Sequence, residues 1–179
     1  HNETIYHQVQ QEFRELLQSW AEGNRVDETL FATETANMEL YGYGIKAFTL
    51  SMLETALTLT DSTLDAKIIE RILQMGRWML DHPVELLPGA EAVLAEIAQK
   101  YSLLLITKGD LRDQQRKLSK SGLAGYFQRV EILPHKSSRE YGEILRNAVC
   151  PAQEFIMIGN SLRSDILPVL EIGGSAVYI

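Results

Sequence analysis

One cysteine, Cys150, stands in 179 residues, so no disulfide can close within the chain and the fold must rest on a hydrophobic core. A lone thiol of this kind is expected to be buried and inert, and the composition fits a reducing cytoplasm. No run of about 18 apolar residues occurs, and no basic stretch leads into a short apolar segment, so neither a membrane span nor a secretory leader is expected. Positive charge is also scarce. Seventeen Lys and Arg against 24 Asp and Glu leave a net charge of −7, without the cationic surplus that nucleic acid or anionic lipid attracts. His7, His82 and His135 lack the spacing of a metal site. What remains is a chain 45% hydrophobic, enough for one large domain or two small ones, with a small molecule as its expected ligand.

The apolar pattern changes once along the chain. Residues 1–85 read as an all-helical domain. Val9, Phe13, Leu16, Leu17 and Trp20 stripe a first helix, Asp27 is placed to cap a second running to Leu40, and a third spans Ile45 to Thr60. Ser62 or Thr63 is placed to cap a fourth, striped by Leu64, Ile68, Ile72, Met75 and Met79 and ending before Pro83. Residues 86–179 alternate short apolar runs with amphipathic helices, the grammar of a parallel sheet. Strands are expected at Ser102–Ile106, Arg129–Leu133, Phe155–Ile158 and Ala176–Ile179. Helices are expected around Ala90–Ile97, from Asp110 to Gly122, around Tyr141–Ala148, and over Ser164–Ile172. The predicted class is α/β, a Rossmann-like parallel-sheet core carrying an all-helical N-terminal domain.

Ligands of such sheets bind beyond the carboxyl ends of the strands, which singles out three places. Thr107-Lys108-Gly109-Asp110 brings a hydroxyl, a flexible glycine and a helix start to one corner, a setting that suits a phosphoryl oxygen, although Thr after a strand is commonly only a cap. Lys136 follows the second strand, where an ammonium can neutralise a phosphate and an attacking carboxylate together; a lysine there is more often simply solvated. Gly159-Asn160-Ser161-Leu162-Arg163-Ser164-Asp165 follows the third strand and sets an amide and a carboxylate five residues apart, oxygen ligands of the kind Mg²⁺ takes. Asn160 shaping the turn and Asp165 favouring the helix start is the structural alternative.

Taken in order, Leu105-Ile106-Thr107-Lys108-Gly109, Lys136 and Gly159-Asn160-Ser161 through Asp165 resemble the second, third and fourth motifs of haloacid dehalogenase-like hydrolases. Leu87-Pro88-Gly89-Ala90 resembles the return of that family's chain from its helical cap into the core. The resemblance implies a Mg²⁺-dependent phosphatase of a small phosphorylated metabolite that works through an aspartyl-phosphate. Thr107 and Lys136 would be catalytic, and Thr107, Lys108, Gly109 and Lys136 would bind the phosphate. Asn160 and Asp165 would serve the metal, with Asn160 where the family usually has an aspartate.

The family's first motif, Asp-x-Asp on a central strand, is nowhere in this sequence. The chain opens at His1, where the cap's first helix is expected, so the nucleophile is expected on a strand upstream and the chain as given is expected to be inactive. A haloacid dehalogenase of the same fold and a non-catalytic binding domain are the alternatives. A phospho-receiver domain also places Thr and Lys at strand ends, but leaves the helical first 80 residues without a role. Trp20, Phe31, Tyr41, Tyr43, Phe48 and Trp78 are expected chiefly in the helical core, with Tyr41 and Tyr43 the pair placed for substrate contact and His135 beside Lys136 placed to approach a phosphate.

Overall fold

The computed structural model describes residues 3–179. Its chain divides into two compact units, one running up to Leu103 and including Asp110–Gln128, the other made of Leu104–Gly109 and Arg129–Ile179.

The first unit is helical: α1 (Glu3–Leu17), α2 (Gly23–Tyr41), α3 (Ile45–Leu59), α4 (Ala66–Asp81), α5 (Ala90–Ile97) and α6 (Leu111–Ser121). Apolar side chains three and four residues apart share a helix face. Hence Val9, Phe13 and Leu17 of α1 meet Val26 and Leu30 of α2, Phe48 and Met52 of α3, and Ile72 and Met75 of α4 in one buried cluster. The first stripe stops at Leu17 because α1 ends there, and Trp20, past the end, is 44% exposed. Asp27 does not cap α2, which begins four residues earlier; its carboxylate instead accepts from Arg14 Nε at 2.7 Å. Nor do Ser62 or Thr63 cap α4. Ser62 lies in a left-handed turn with Asp61, and Asp65 takes the capping role by accepting from the Lys67 N–H at 2.8 Å. Asp110 and Gly122 bracket α6 as the sequence suggests, the first accepting from the Asp113 N–H and the second left-handed at φ +72°.

The second unit holds four strands: β1 (Leu104–Lys108), β2 (Arg129–Leu133), β3 (Ile156–Gly159) and β4 (Ser175–Tyr178). β1 pairs with β2 and β3 with β4, both in parallel, and no ladder joins the two pairs among the described residues. Helix α7 (Ser138–Asn147) packs Tyr141 and Ile144 against Ile106 of β1 and Val169 of α8 (Leu167–Glu171), with Leu133, Phe155 and Met157 at the border of this cluster. The first strand runs to Lys108, beyond the expected end at Ile106, because its register with β2 carries Thr107 opposite Ile132 and Lys108 opposite Leu133. The expected helix over 164–172 is split into a π turn at Leu162–Ile166 and the short α8, and Pro168 in the first turn of α8 has no N–H with which to continue the preceding ladder.

Two positions in the helical core test this packing. A Cβ on Gly76 of α4 would lie 2.3 Å from Thr49 Oγ1, so Gly76→Ala is expected to lower unfolding free energy by about 1–3 kcal/mol through overpacking. Thr55 is fully buried, and its hydroxyl has no hydrogen-bond partner among the described residues. Thr55→Val is therefore expected to raise stability by roughly 1 kcal/mol. Urea midpoints of the two variants moving in opposite directions would bear this out.

Candidate functional site

Parallel pairing sends the carboxyl ends of β1 and β2 to one edge, where the Gly109 N–H donates to the Leu133 carbonyl at 3.1 Å. Gly109 turns there at φ +142°, a conformation that disfavours any side chain, and so frees the chain to leave the strand immediately after Thr107 and Lys108. Four residues past β2, Ser137 opens α7 with a capping box: its side chain accepts from the Arg139 N–H, and its own N–H donates to the Glu140 carboxylate at 3.1 Å. The cap fixes where Lys136 emerges.

Lys136 meets Asp165. Its Nζ donates to Oδ1 at 2.7 Å, and the two side chains are only 9% and 6% exposed. The other carboxylate oxygen accepts from the Ser161 N–H at 3.1 Å. Ser161 also receives the Ser164 N–H on its Oγ at 3.3 Å, which closes the first turn after β3. Gly159, buried at the end of β3, makes room for the carboxylate: a Cβ there would stand 2.5 Å from Asp165 Oδ2. Tyr141 supports the turn from α7 by donating to the Ser164 carbonyl at 3.1 Å; burial, followed by the charge of Asp165, pushes its phenol well above the ordinary range.

Of the residues singled out in the sequence, Lys136 and Asp165 are thus in direct contact, and Thr107 and Lys108 close the adjacent strand. Asn160 is exposed and takes no part in the hydrogen bonds around Asp165, and His135 is exposed. Ser161 and Tyr141 were not singled out. Ser161-x-x-Ser164 after a strand is a capping signature that points to the first, whereas Tyr141 reads as core and is core, its hydroxyl alone reaching the site. Cys150, expected to be buried, is only partly so. Among the described residues no group of three or more His, Cys, Asp or Glu is placed to hold a metal ion.

The buried pair makes a stability prediction. Lys136→Met leaves a buried carboxylate without its cation and is expected to cost about 3–5 kcal/mol, whereas the double variant Lys136→Met, Asp165→Leu is expected to recover most of that loss. Urea denaturation in which the double variant is no more stable than the single one would show that the pair does not hold this corner.

No family model matches the chain, and no curated protein matches it. Solved structures do. A haloacid dehalogenase-like family hydrolase from Xanthomonas campestris is 42% identical over 99% of this chain and 75% of its own, with a TM-score of 0.93. A 2-haloacid dehalogenase from Pseudomonas syringae (20% identity, 93% and 75% covered, TM-score 0.63) and a predicted phosphoglycolate phosphatase from Haemophilus somnus (17%, 93% and 75%, 0.57) share the fold. The order of the three strand-end motifs, the contact between Lys136 and Asp165 and the identity to the Xanthomonas protein agree: this chain belongs to the haloacid dehalogenase-like hydrolases.

Proposed function

We propose that the protein is a phosphohydrolase that cleaves a small phosphorylated metabolite and depends on Mg²⁺. In this reading the Thr107 hydroxyl and the backbone at Lys108 and Gly109 hold the phosphoryl oxygens. Lys136 neutralises charge as a carboxylate attacks phosphorus and the alcohol leaves, and Asn160 and Asp165 serve the metal. The observation that carries it is the buried Lys136–Asp165 pair at the carboxyl edge of the sheet strands. An isolated ion pair is weak support for a fold, and a cation held at that edge suits a phosphate.

Asn160 and Asp165 do not make a metal site by themselves. They supply one amide and one carboxylate whose two oxygens already accept hydrogen bonds, whereas Mg²⁺ takes six oxygens in near-octahedral array. The proposal therefore includes further carboxylates, carried with the nucleophile on a strand between β1 and β3. In support of that strand, the two sheet pairs share no ladder among the described residues, although backbone groups at a sheet edge seek partners. Without it the chain is proposed to be inactive. The exposed amide of Asn160 favours a second reading, a dehalogenase of the same fold that works without metal.

The test is turnover of a generic phosphate monoester by the chain extended with that strand. Activity is expected only with Mg²⁺ and is expected to vanish with chelator, and Lys136→Ala should lower kcat/KM by on the order of 10²-fold. Full activity of that variant would remove Lys136 from the chemistry. Turnover of a 2-haloacid undiminished by chelator would transfer the assignment to the dehalogenase.

A further inference from the structure

The helical unit holds a cavity of about 230 Å³ whose lining includes Tyr6 of α1, Glu34 and Asn37 of α2, Tyr43, and Phe48 and Ser51 of α3. Its volume equals roughly seven waters' share of the liquid, room for a short polar group. Glu34 and Asn37 stand three residues apart on one face of α2, and Phe48 and Ser51 do the same on α3, so one pair of helix faces supplies both polar and aromatic walls. The Tyr6 and Phe48 rings meet edge to face, their centroids 5.0 Å apart.

The charge of this lining is one-sided. No Lys, Arg or His is among the described lining residues, and Lys46, which lies between lining residues in the sequence, is committed to Asp110 at 2.9 Å. Asn37 spends its amide N–H groups on Ser51 and on Glu54, and Tyr41 donates to the other oxygen of Glu54. Among the described residues neither Glu34 nor Glu54 has an ion-pair partner. Burial pushes the Glu34 carboxyl up, and burial, followed by the charges of Asp113 and Glu34, pushes the Tyr6 phenol up to about 12. Both shifts begin with burial, and for Tyr6 the neighbouring negative charges add to it.

We propose that this cavity binds a small ligand through a protonated amine. A carboxylate, two aromatic faces and hydroxyl acceptors are what an ammonium with three donors requires, and a second anion would meet Glu34 with like charge. Gly44 sits at the rim with φ +117°, and a Cβ there would lie 3.5 Å from Asp110 Cβ. The amine preference does not rest on the hydrolase reading.

The experiment is therefore binding, not turnover. The protein is titrated with ethanolamine, O-phosphoethanolamine, ethylene glycol and phosphoglycolate while the ring resonances of Tyr6 and Phe48 are followed by NMR. The two amines are expected to shift these rings saturably, and Glu34→Gln to weaken that binding at least tenfold with its far-UV circular dichroism unchanged. Ethylene glycol and phosphoglycolate are expected to leave the rings unmoved. An equal response to either of them, or amine binding indifferent to Glu34→Gln, overturns the proposal. The two controls decide the matter without any substitution should the variant not fold. A failure of the hydrolase reading would register in turnover and leave these shifts in place.

Discussion

The ion pair between Lys136 and Asp165 is the contact on which the second unit turns. Its four strands form two pairs without a common ladder, so the backbone hydrogen bonds that normally make a sheet one object stop between the two pairs. What spans the interruption is side-chain chemistry. Lys136 leaves the end of β2, Asp165 leaves the turn after β3, and they meet at 2.7 Å nearly out of water. Tyr141 reinforces the link from α7, with its ring in the apolar cluster and its hydroxyl on the turn that carries Asp165. A buried pair of this kind lasts only if the remaining oxygen is also satisfied, and the Ser161 N–H does that.

How much of this was legible in the sequence follows from which forces are local. Helix faces depend on spacing alone, so Val9, Phe13, Ile72 and Met75 could be placed in the core from periodicity. Strand-end motifs are equally local, and Lys136 and Asp165 fell where the alternation put them. Caps were less legible, because Asp65, Ser62 and Thr63 all bear suitable oxygens and only the backbone decides: Ser62 is left-handed, Asp65 extended. The aromatics misled for another reason. Expected in the core, Trp20, Phe31 and Trp78 are between 38% and 72% exposed, while Phe48 is buried. Helical spacing identifies a face but not how much partner surface lies against it. The cavity beside Phe48 was illegible, since Tyr6, Glu34 and Ser51 come from three helices and carry no shared motif.

The charge balance at the strand ends constrains every reading of the chemistry. Lys136 and Asp165 neutralise each other, so the pair by itself offers no surplus positive charge to a phosphate dianion. Binding one there requires either that Lys136 be released from Asp165 or that a further cation share the carboxylate, and adding carboxylates with the nucleophile only deepens the deficit. On the proposed phosphatase reading a hard divalent ion would answer that deficit where a lysine cannot, because one lysine cannot serve an aspartate, a nucleophilic carboxylate and a phosphate at full strength. A monoanionic haloacid would need less compensation. The neutral amide proposed for the metal at Asn160 therefore bears on the choice between the two proposed chemistries, and the dependence of turnover on a metal is the property by which that choice is made.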